Sequence, residues 1–239
     1  MNYANKLKKG TLALLFVILI TPIVMAQPTG TDITHIDTDM IDAIAPAERT
    51  DDGGTINTLV IEATQQNPRW KAYVGNITGT LTLDDSGGNT IFNWALEQTD
   101  ITGEVYSSRS DAVSWESISC ASLANINSEE SFLGMSSTSA DSIENTFNET
   151  THPAINIGTI PVSDCPATST YVNNAPQDQE GADFPIILLE DGNDNLIYTT
   201  PINPMTTGYD GSSLFDFQAI LANNPSETTP YFFYVELSS

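Results

Sequence analysis

Short runs of apolar and β-branched residues, separated by Gly, Asn, Asp and Ser, repeat along most of the chain. Runs of this kind are typical of β-strands. The pattern predicts strands in the following segments: Ile56–Ala63, Trp70–Leu83, Gly103–Ser107, Val113–Ile118, Phe184–Leu189, Leu214–Leu221 and Tyr231–Leu237. Many short strands with few helices predict an all-β fold, a β-sandwich of the immunoglobulin-like or jelly-roll-like type. We expect at most one or two short helices, one of them around Ala140–Phe147.

Two segments predict hairpins of similar design. Leu83–Trp94 places Asp, Ser, Gly and Asn between two strand-like runs, and Leu189–Thr200 aligns with it without a gap. Both segments keep a leucine, two acidic residues, an asparagine at 89 or 195, and an Ile-aromatic pair. We interpret them as two hairpins of one turn class, because the flanking sequences do not repeat. The alternative is that they mark two related β units.

The first 26 residues have the pattern of a secretory signal peptide. Lys6, Lys8 and Lys9 precede an apolar run. The run is followed by Ala26, a small residue after which we expect a signal peptidase to cleave. The run falls short of the roughly 20 apolar residues that a bilayer-spanning helix needs, and Pro22 interrupts it. A pilin-type leader processed near Gly10 is the alternative, although it lacks an acidic residue just inside the apolar segment. Both interpretations predict a secreted protein, extracellular or at the cell surface.

Residues 27–54 form a polar N-terminal segment, and residues 55–239 are predicted to form a single β-sandwich domain with an insert at 120–165. The spacing of Ile33, Ile36, Met40, Ile41 and Ile44 suits a short amphipathic helix that folds back on the domain. The alternative is an extended arm that leaves its subunit and pairs with an exposed edge on a neighbour. The insert is expected to protrude as a long loop.

Charge narrows the classes of partner. Residues 1–26 contain three of the seven basic residues and no acidic residue, so 31 acidic and four basic residues remain, a formal charge of −27. From Ser110 onward the sequence has no Lys or Arg. A chain of this charge is not expected to bind nucleic acid or an anionic membrane surface.

Cys120 and Cys165 are the two cysteines of the chain, and their even number behind a secretion signal predicts one disulfide closing a long loop. Trp115 is placed to pack near it. Asn76 in Asn-Ile-Thr and Asn148 in Asn-Glu-Thr match the acceptor pattern for N-glycosylation. These features agree with an extracellular protein.

Three segments together resemble uncharacterised secreted surface proteins of prokaryotes, of β-sandwich type. They are Trp70–Asn76, Thr78–Leu83 and Tyr231–Leu237. The resemblance covers the core of the chain and excludes the N-terminal segment and the cysteine loop. It implies a surface protein and brings no catalytic residue with it.

Catalytic patterns are sparse. His35 and His152 are the two histidines, and the sequence has no Gly-x-Ser-x-Gly, His-Glu-x-x-His, phosphate-binding or dinucleotide-binding motif. A carboxylate pair for glycoside hydrolysis depends on spacing in three dimensions, and a solvated acidic face is the favoured interpretation of the acids. Asp191, Asn193 and Asn195 alternate like the first ligands of a calcium loop, but the later glycine and glutamate of such a loop are missing. We expect no cofactor apart from calcium at this turn.

The sequence therefore favours a structural protein of the cell surface, a coat component or a pilus-like filament subunit, which self-associates and is not an enzyme. An extracellular adhesion module for carbohydrate or another surface ligand is the alternative, and Trp70, Trp94 and Trp115 could then stack on sugar rings. Exposure of two or more of these tryptophans on one face would favour that alternative.

The negative charge predicts that stability depends on salt. A formal charge of −27 repels itself unless it is screened or neutralised, so we expect the melting temperature to rise with ionic strength or with millimolar calcium. Calorimetry in low salt, high salt and calcium checks this expectation. An unchanged melting temperature across the three conditions contradicts it.

Overall fold

The structure is a computed structural model that describes residues 27–42 and 45–238. The predicted signal peptide, Ile44 of the predicted helix, and Ser239 lie outside the described residues. The described chain contains fifteen strands and two α-helices. In chain order they are β1 Thr29–Gly30, β2 Trp70–Gly75, β3 Thr80–Asp84, β4 Thr90–Ala95, β5 Thr102–Ser108, β6 Ser119–Cys120, α1 Leu123–Phe132, α2 Ile143–Thr146, β7 Ile155–Ile157, β8 Ile160–Val162, β9 Ala167–Ser169, β10 Pro185–Glu190, β11 Leu196–Pro201, β12 Thr206–Thr207, β13 Leu214–Phe215, β14 Phe217–Ala222 and β15 Phe232–Ser238.

A seven-stranded antiparallel sheet forms the centre of the fold. Its strands run in the order β1-β15-β5-β11-β10-β6, and β9 also pairs with β10. The C-terminal strand β15 pairs with β5 along its whole length, from Phe232 opposite Ser108 to Ser238 opposite Thr102. Four separate two-stranded sheets surround it: β2–β14, β3–β4, β7–β8 and β12–β13. The predicted all-β, sandwich-like fold is confirmed.

Both faces of the central sheet are buried. On one face, Ile186, Leu188 and Tyr198 pack in a cluster with Leu221 of β14 and with residues of both helices. On the other face, Ile187, Leu189 and Ile197 pack against the β7–β8 hairpin. Strands covered on both faces carry near-continuous apolar runs rather than alternation, which explains the sequence Ile-Ile-Leu-Leu in β10.

The segment between the cysteines does not protrude, contrary to the prediction. Its residues Leu133 and Ile143 are fully buried in the hydrophobic cluster on the face that β14 and the helices cover. Ile157 is almost fully buried in the hydrophobic cluster on the opposite face. Arg109 binds it to the sheet, because the guanidinium donates to both carboxylate oxygens of Glu129 on α1 at 2.6 Å and lies 3.8 Å from the centroid of the Phe132 ring. Apolar residues scattered among many Ser and Asn gave no period from which this packing could be read.

The disulfide between Cys120 and Cys165 is present, as predicted. Its geometry follows from the sheet, because β6 and β9 lie end to end along the same edge of β10, with Cys120 opposite Leu189 and Ala167 opposite Ile187. The two Cα atoms are 4.9 Å apart. Trp115 and the disulfide belong to the same cluster, as expected.

Several predicted elements differ from the structure. Val113–Ile118 is not a strand; Trp115–Ser117 forms a 3-10 turn that places the Trp115 ring between Tyr106 and Tyr234. Leu214–Leu221 is broken into β13 and β14 at Asp216, whose carboxylate accepts hydrogen bonds from the backbone N–H groups of Ile77 and Met205. Helix α2 falls within the predicted segment, whereas α1 was missed.

No helix within residues 27–42 and 45–238 is both long enough and apolar enough to cross a membrane.

Gly103 fixes the pairing of β5 with β15. Its φ is +125°, and a Cβ atom there would collide with the backbone carbonyl of Glu236. We expect Gly103→Ala to lower the free energy of unfolding by about 2–4 kcal/mol, because the two central strands must separate to accommodate the methyl group.

Reversible denaturant unfolding measures this loss. Gly30→Ala is the matched control, since a Cβ at Gly30 meets nothing within 4 Å. Equal stability of the two variants would show that the β5–β15 approach is not a constraint.

Candidate functional site

The segment 55–63 has a strand-forming sequence, but it pairs with no strand among the described residues. Ile56, Val60 and Ile61 expose 100%, 88% and 85% of their surface, and Leu59 exposes 54%. The predicted strand over Ile56–Ala63 is therefore wrong for the subunit taken alone, because no strand within residues 27–42 and 45–238 lies beside it.

This unpaired segment belongs to a longer arm. In the described residues from 31 to 66, every side chain is exposed and no helix or strand forms. The predicted amphipathic helix is absent there, and Ile36 and Met40 expose 92% and 77% of their surface. Of the N-terminal segment, Thr29–Gly30 pairs with β15 of its own subunit. The described part of the segment is thus extended rather than helical, and its pairing with a neighbouring subunit stays a prediction.

The point where the arm leaves the domain is fixed by hydrogen bonds. The Asn67 amide donates to the Asp141 carboxylate at 3.1 Å and accepts from the backbone N–H of Arg69 at 2.9 Å. The Arg69 guanidinium donates to the carbonyl of Gly134, and the Asn223 amide donates to the carbonyl of Pro68. A rigid attachment therefore precedes β2, and the arm N-terminal to it carries the exposed apolar residues.

The outer edge of β2 is unpaired among the described residues. The N–H of Asn223 donates to the carbonyl of Arg69. Every second residue after Arg69 therefore also exchanges backbone hydrogen bonds with β14. Trp70, Ala72 and Val74 alternate with them and direct their backbone groups away from β14, where the two-stranded sheet has no further strand. An open edge of this kind can accept another strand.

The segment 55–63 and the β2 edge lie in a stretch of the chain that carries little acidic charge. Between residues 53 and 83 the sequence has one acidic residue, Glu62, and two basic residues, Arg69 and Lys71. The Lys71 ammonium donates to the carbonyl of Thr229 at 2.9 Å. Repulsion between two copies of this acidic protein is therefore weak between these two segments.

Two carboxylates lie close together on one face of the central sheet and form a separate polar cluster. Glu104 lies opposite Glu236 in the β5–β15 register, and the Tyr106 hydroxyl donates to Glu236 at 3.1 Å. The backbone N–H of Gly158, in the β7–β8 turn, donates to both oxygens of Glu236. Burial, followed by the charge of Glu236, raises the pKa of Glu104 to about 7. Burial also raises the pKa of Glu236.

This carboxylate pair differs from the arrangement that glycoside hydrolysis requires, in which the two groups flank a bound sugar. The two glutamates are neighbours on one sheet face, next to the β7–β8 hairpin. Two open depressions of the surface, at the β3–β4 hairpin and at the start of β15, do not include them. Sequence reasoning missed the pair because 132 residues separate its members, and only the strand register brings them together.

The two hairpins predicted from sequence share one turn, as expected. Asp85 accepts hydrogen bonds from the backbone of Gly87 and Asn89 and from the Asn89 amide. Asp191 accepts the equivalent bonds from the backbone of Asn193 and Asn195 and from the Asn195 amide.

Asp191 also accepts from the backbone N–H of Ser114. Burial opposes its ionisation, but these hydrogen bonds outweigh burial and lower its pKa. Asp191, Asn193 and Asn195 are thus brought together by the turn, and the Asp191 oxygens accept from N–H groups. In the part of the chain that the structure describes, no group of three His, Cys, Asp or Glu residues is arranged to hold a metal. Calcium binding at this turn stays a prediction.

The three tryptophans do not share an exposed face. Trp70 packs on Phe147 and donates its indole N–H to the carbonyl of Asp141. Trp115 packs in the hydrophobic cluster between the central sheet and the β7–β8 hairpin. Trp94 is half exposed and contacts Phe92, with ring centroids 4.9 Å apart.

The remaining predicted residues lie apart from one another. Asn76 and Asn148 are both exposed, so a glycosyltransferase could reach them. His35 lies 3.3 Å from the Thr38 hydroxyl on the arm, and His152 accepts from the backbone N–H of Cys165. Neither histidine is hydrogen-bonded to a serine and a carboxylate together.

Comparison of the chain with protein-family models, curated proteins and solved structures finds no match. The resemblance to secreted prokaryotic surface proteins therefore stays a prediction.

The raised pKa of Glu104 predicts a pH dependence of stability. A carboxyl whose pKa is higher in the folded chain than its ordinary 4.5 binds its proton more tightly when folded. This contribution is complete below pH 4.5 and is lost as the pH rises through about 7. We expect the loss to be about 2 kcal/mol.

Glu104→Gln should remove most of this dependence and stabilise the protein above pH 7 relative to the unsubstituted chain. Denaturant unfolding between pH 4 and pH 8 measures the effect. Glu97→Gln, at an exposed carboxyl outside the cluster, is the matched control. An identical pH profile for Glu104→Gln and the unsubstituted protein would contradict the assignment.

Proposed function

We propose that this chain is a secreted structural protein of the cell surface, a coat component or filament subunit that works by self-association and not by catalysis. The observation that carries the proposal is the unpaired segment 55–63, which exposes four large apolar side chains on an arm attached to a folded domain. Leaving such a segment in water is unfavourable unless an assembly buries it.

Other features support an extracellular site of action. The Cys120–Cys165 disulfide is a bond typical of oxidising compartments. The chain has 31 acidic and seven basic residues, a composition that keeps a protein dispersed until salt or cations screen its charge. Assembly would then begin outside the cell, where such ions are available.

An adhesion module for carbohydrate is the second candidate, and the exposed pair of Phe92 and Trp94 favours it. Both rings project from one face of β4 and expose about half of their surface, 57% and 50%. Aromatic rings of this exposure can stack on sugar rings.

Electron microscopy tests the primary proposal. We expect the purified protein to form ordered filaments or sheets as salt or protein concentration rises, and antibodies against it to label an ordered surface structure on the producing cells. Cells that lack the gene are the control for labelling. A protein that remains monomeric in all conditions and is retained on immobilised glycans would favour the adhesion module instead.

A further inference from the structure

We infer that the segment 55–63 is a donor strand that pairs with the outer edge of β2 on a second copy of the chain. This inference rests on the proposed function and names the contact through which the copies join. The same chain supplies both halves of the contact, an unpaired strand-forming segment and an unpaired strand edge.

The chemistry of the segment fits a strand that is covered on both faces. In an extended conformation Leu59 and Ile61 point to one side, and Ile56 and Val60 point to the other. A strand that is half exposed to water alternates apolar and polar residues, whereas a strand buried on both faces does not. Both sides of the donor strand would therefore be covered in the assembly.

The acceptor edge offers matching hydrogen bonds and space. Ala72 and Val74 direct their backbone groups outward, and their side chains are exposed. The sheet formed by β2 and β14 has two strands, whereas the sheet that it packs against has seven. One more strand beside β2 would widen the smaller layer.

Charge favours this edge over others. The donor segment carries one charged residue, Glu62, and the acceptor strand carries Lys71 next to Arg69. Donor and acceptor are thus weakly opposite in charge within a protein that otherwise repels its own copies.

The arm favours a second copy over its own domain. Asn67, Pro68 and Arg69 are hydrogen-bonded to the helical segment and to Asn223, which fixes the direction in which the chain enters β2. The residues before this attachment stay exposed and do not turn back along the β2 edge. The arm can therefore reach a neighbour that in turn donates its own arm, and such head-to-tail exchange produces filaments.

The first test compares charged substitutions in the donor segment with the same substitutions elsewhere on the arm. Leu59→Asp combined with Ile61→Asp adds two charges to the donor strand, and Ile36→Asp combined with Met40→Asp adds the same two charges elsewhere on the arm. In about 1 M salt, where screening is strong, the donor variant should raise the critical concentration for sedimentable assembly by about tenfold or more, since charges must enter a covered strand. The control variant should assemble like the unsubstituted protein.

The second test addresses the acceptor. Ala72→Pro removes an N–H that points away from β14, so the β2–β14 pairing can persist while donor pairing is lost. Ala72→Ser keeps the N–H and is the matched control. Circular dichroism and melting of the monomer show whether each variant is folded. Because the donor residues are exposed in the subunit, the donor variants test the inference even if Ala72→Pro unfolds.

Crosslinking then distinguishes a second copy from the same chain. Val60→Cys protein labelled with a heavy isotope is mixed with unlabelled Val74→Cys protein and oxidised, and mass spectrometry should find a disulfide between a labelled and an unlabelled chain. A Val60→Cys, Val74→Cys double variant that forms this bond only within a monomer overturns the inference. If donor and control variants assemble equally well, the inference also fails while the proposed function stands. If the unsubstituted protein never assembles, both fail.

Discussion

The hydrogen-bonding requirement of strand edges governs this molecule. An extended strand leaves half of its backbone groups without partners until another strand lies beside it, and burying such groups unpaired is costly. Within the domain the requirement is met by distant segments: β15, at the C-terminal end, pairs with β5 along its full length, and Thr29–Gly30 covers part of the other edge of β15. The outer edge of β2 has no partner strand among the described residues, and the same chain carries an unpaired segment of suitable sequence.

Local chemistry could be predicted well from the sequence. The two hairpins follow from an aspartate four residues before an asparagine, because the Asp85 and Asp191 carboxylates each close a turn with backbone and amide N–H groups. The strands β5, β10 and β15 follow from β-branched and aromatic runs. In the two hairpins the residues of the turn determine the conformation, whereas β5, β10 and β15 also have partner strands that the tertiary structure supplies.

Features that depend on distant pairing could not be predicted in this way. Whether Ile56–Ala63 is a paired strand depends on an edge elsewhere, and its own residues do not determine that. The carboxylate pair of Glu104 and Glu236 exists only because the β5–β15 register sets them opposite each other. The cysteine loop has a polar composition, yet a few residues such as Leu133 and Ile143 are fully buried and anchor it on the sheet.

The long sequence separation between β15 and its partner β5 also affects how the chain folds. β15 lies between β5 and the two-residue strand β1, so this side of the large sheet is incomplete until β15 has paired with β5. Pairing across about 130 residues closes a very long loop, and folds dominated by such non-local contacts form slowly. The pairing of β15 with β5 is therefore expected to set the rate at which the whole domain folds.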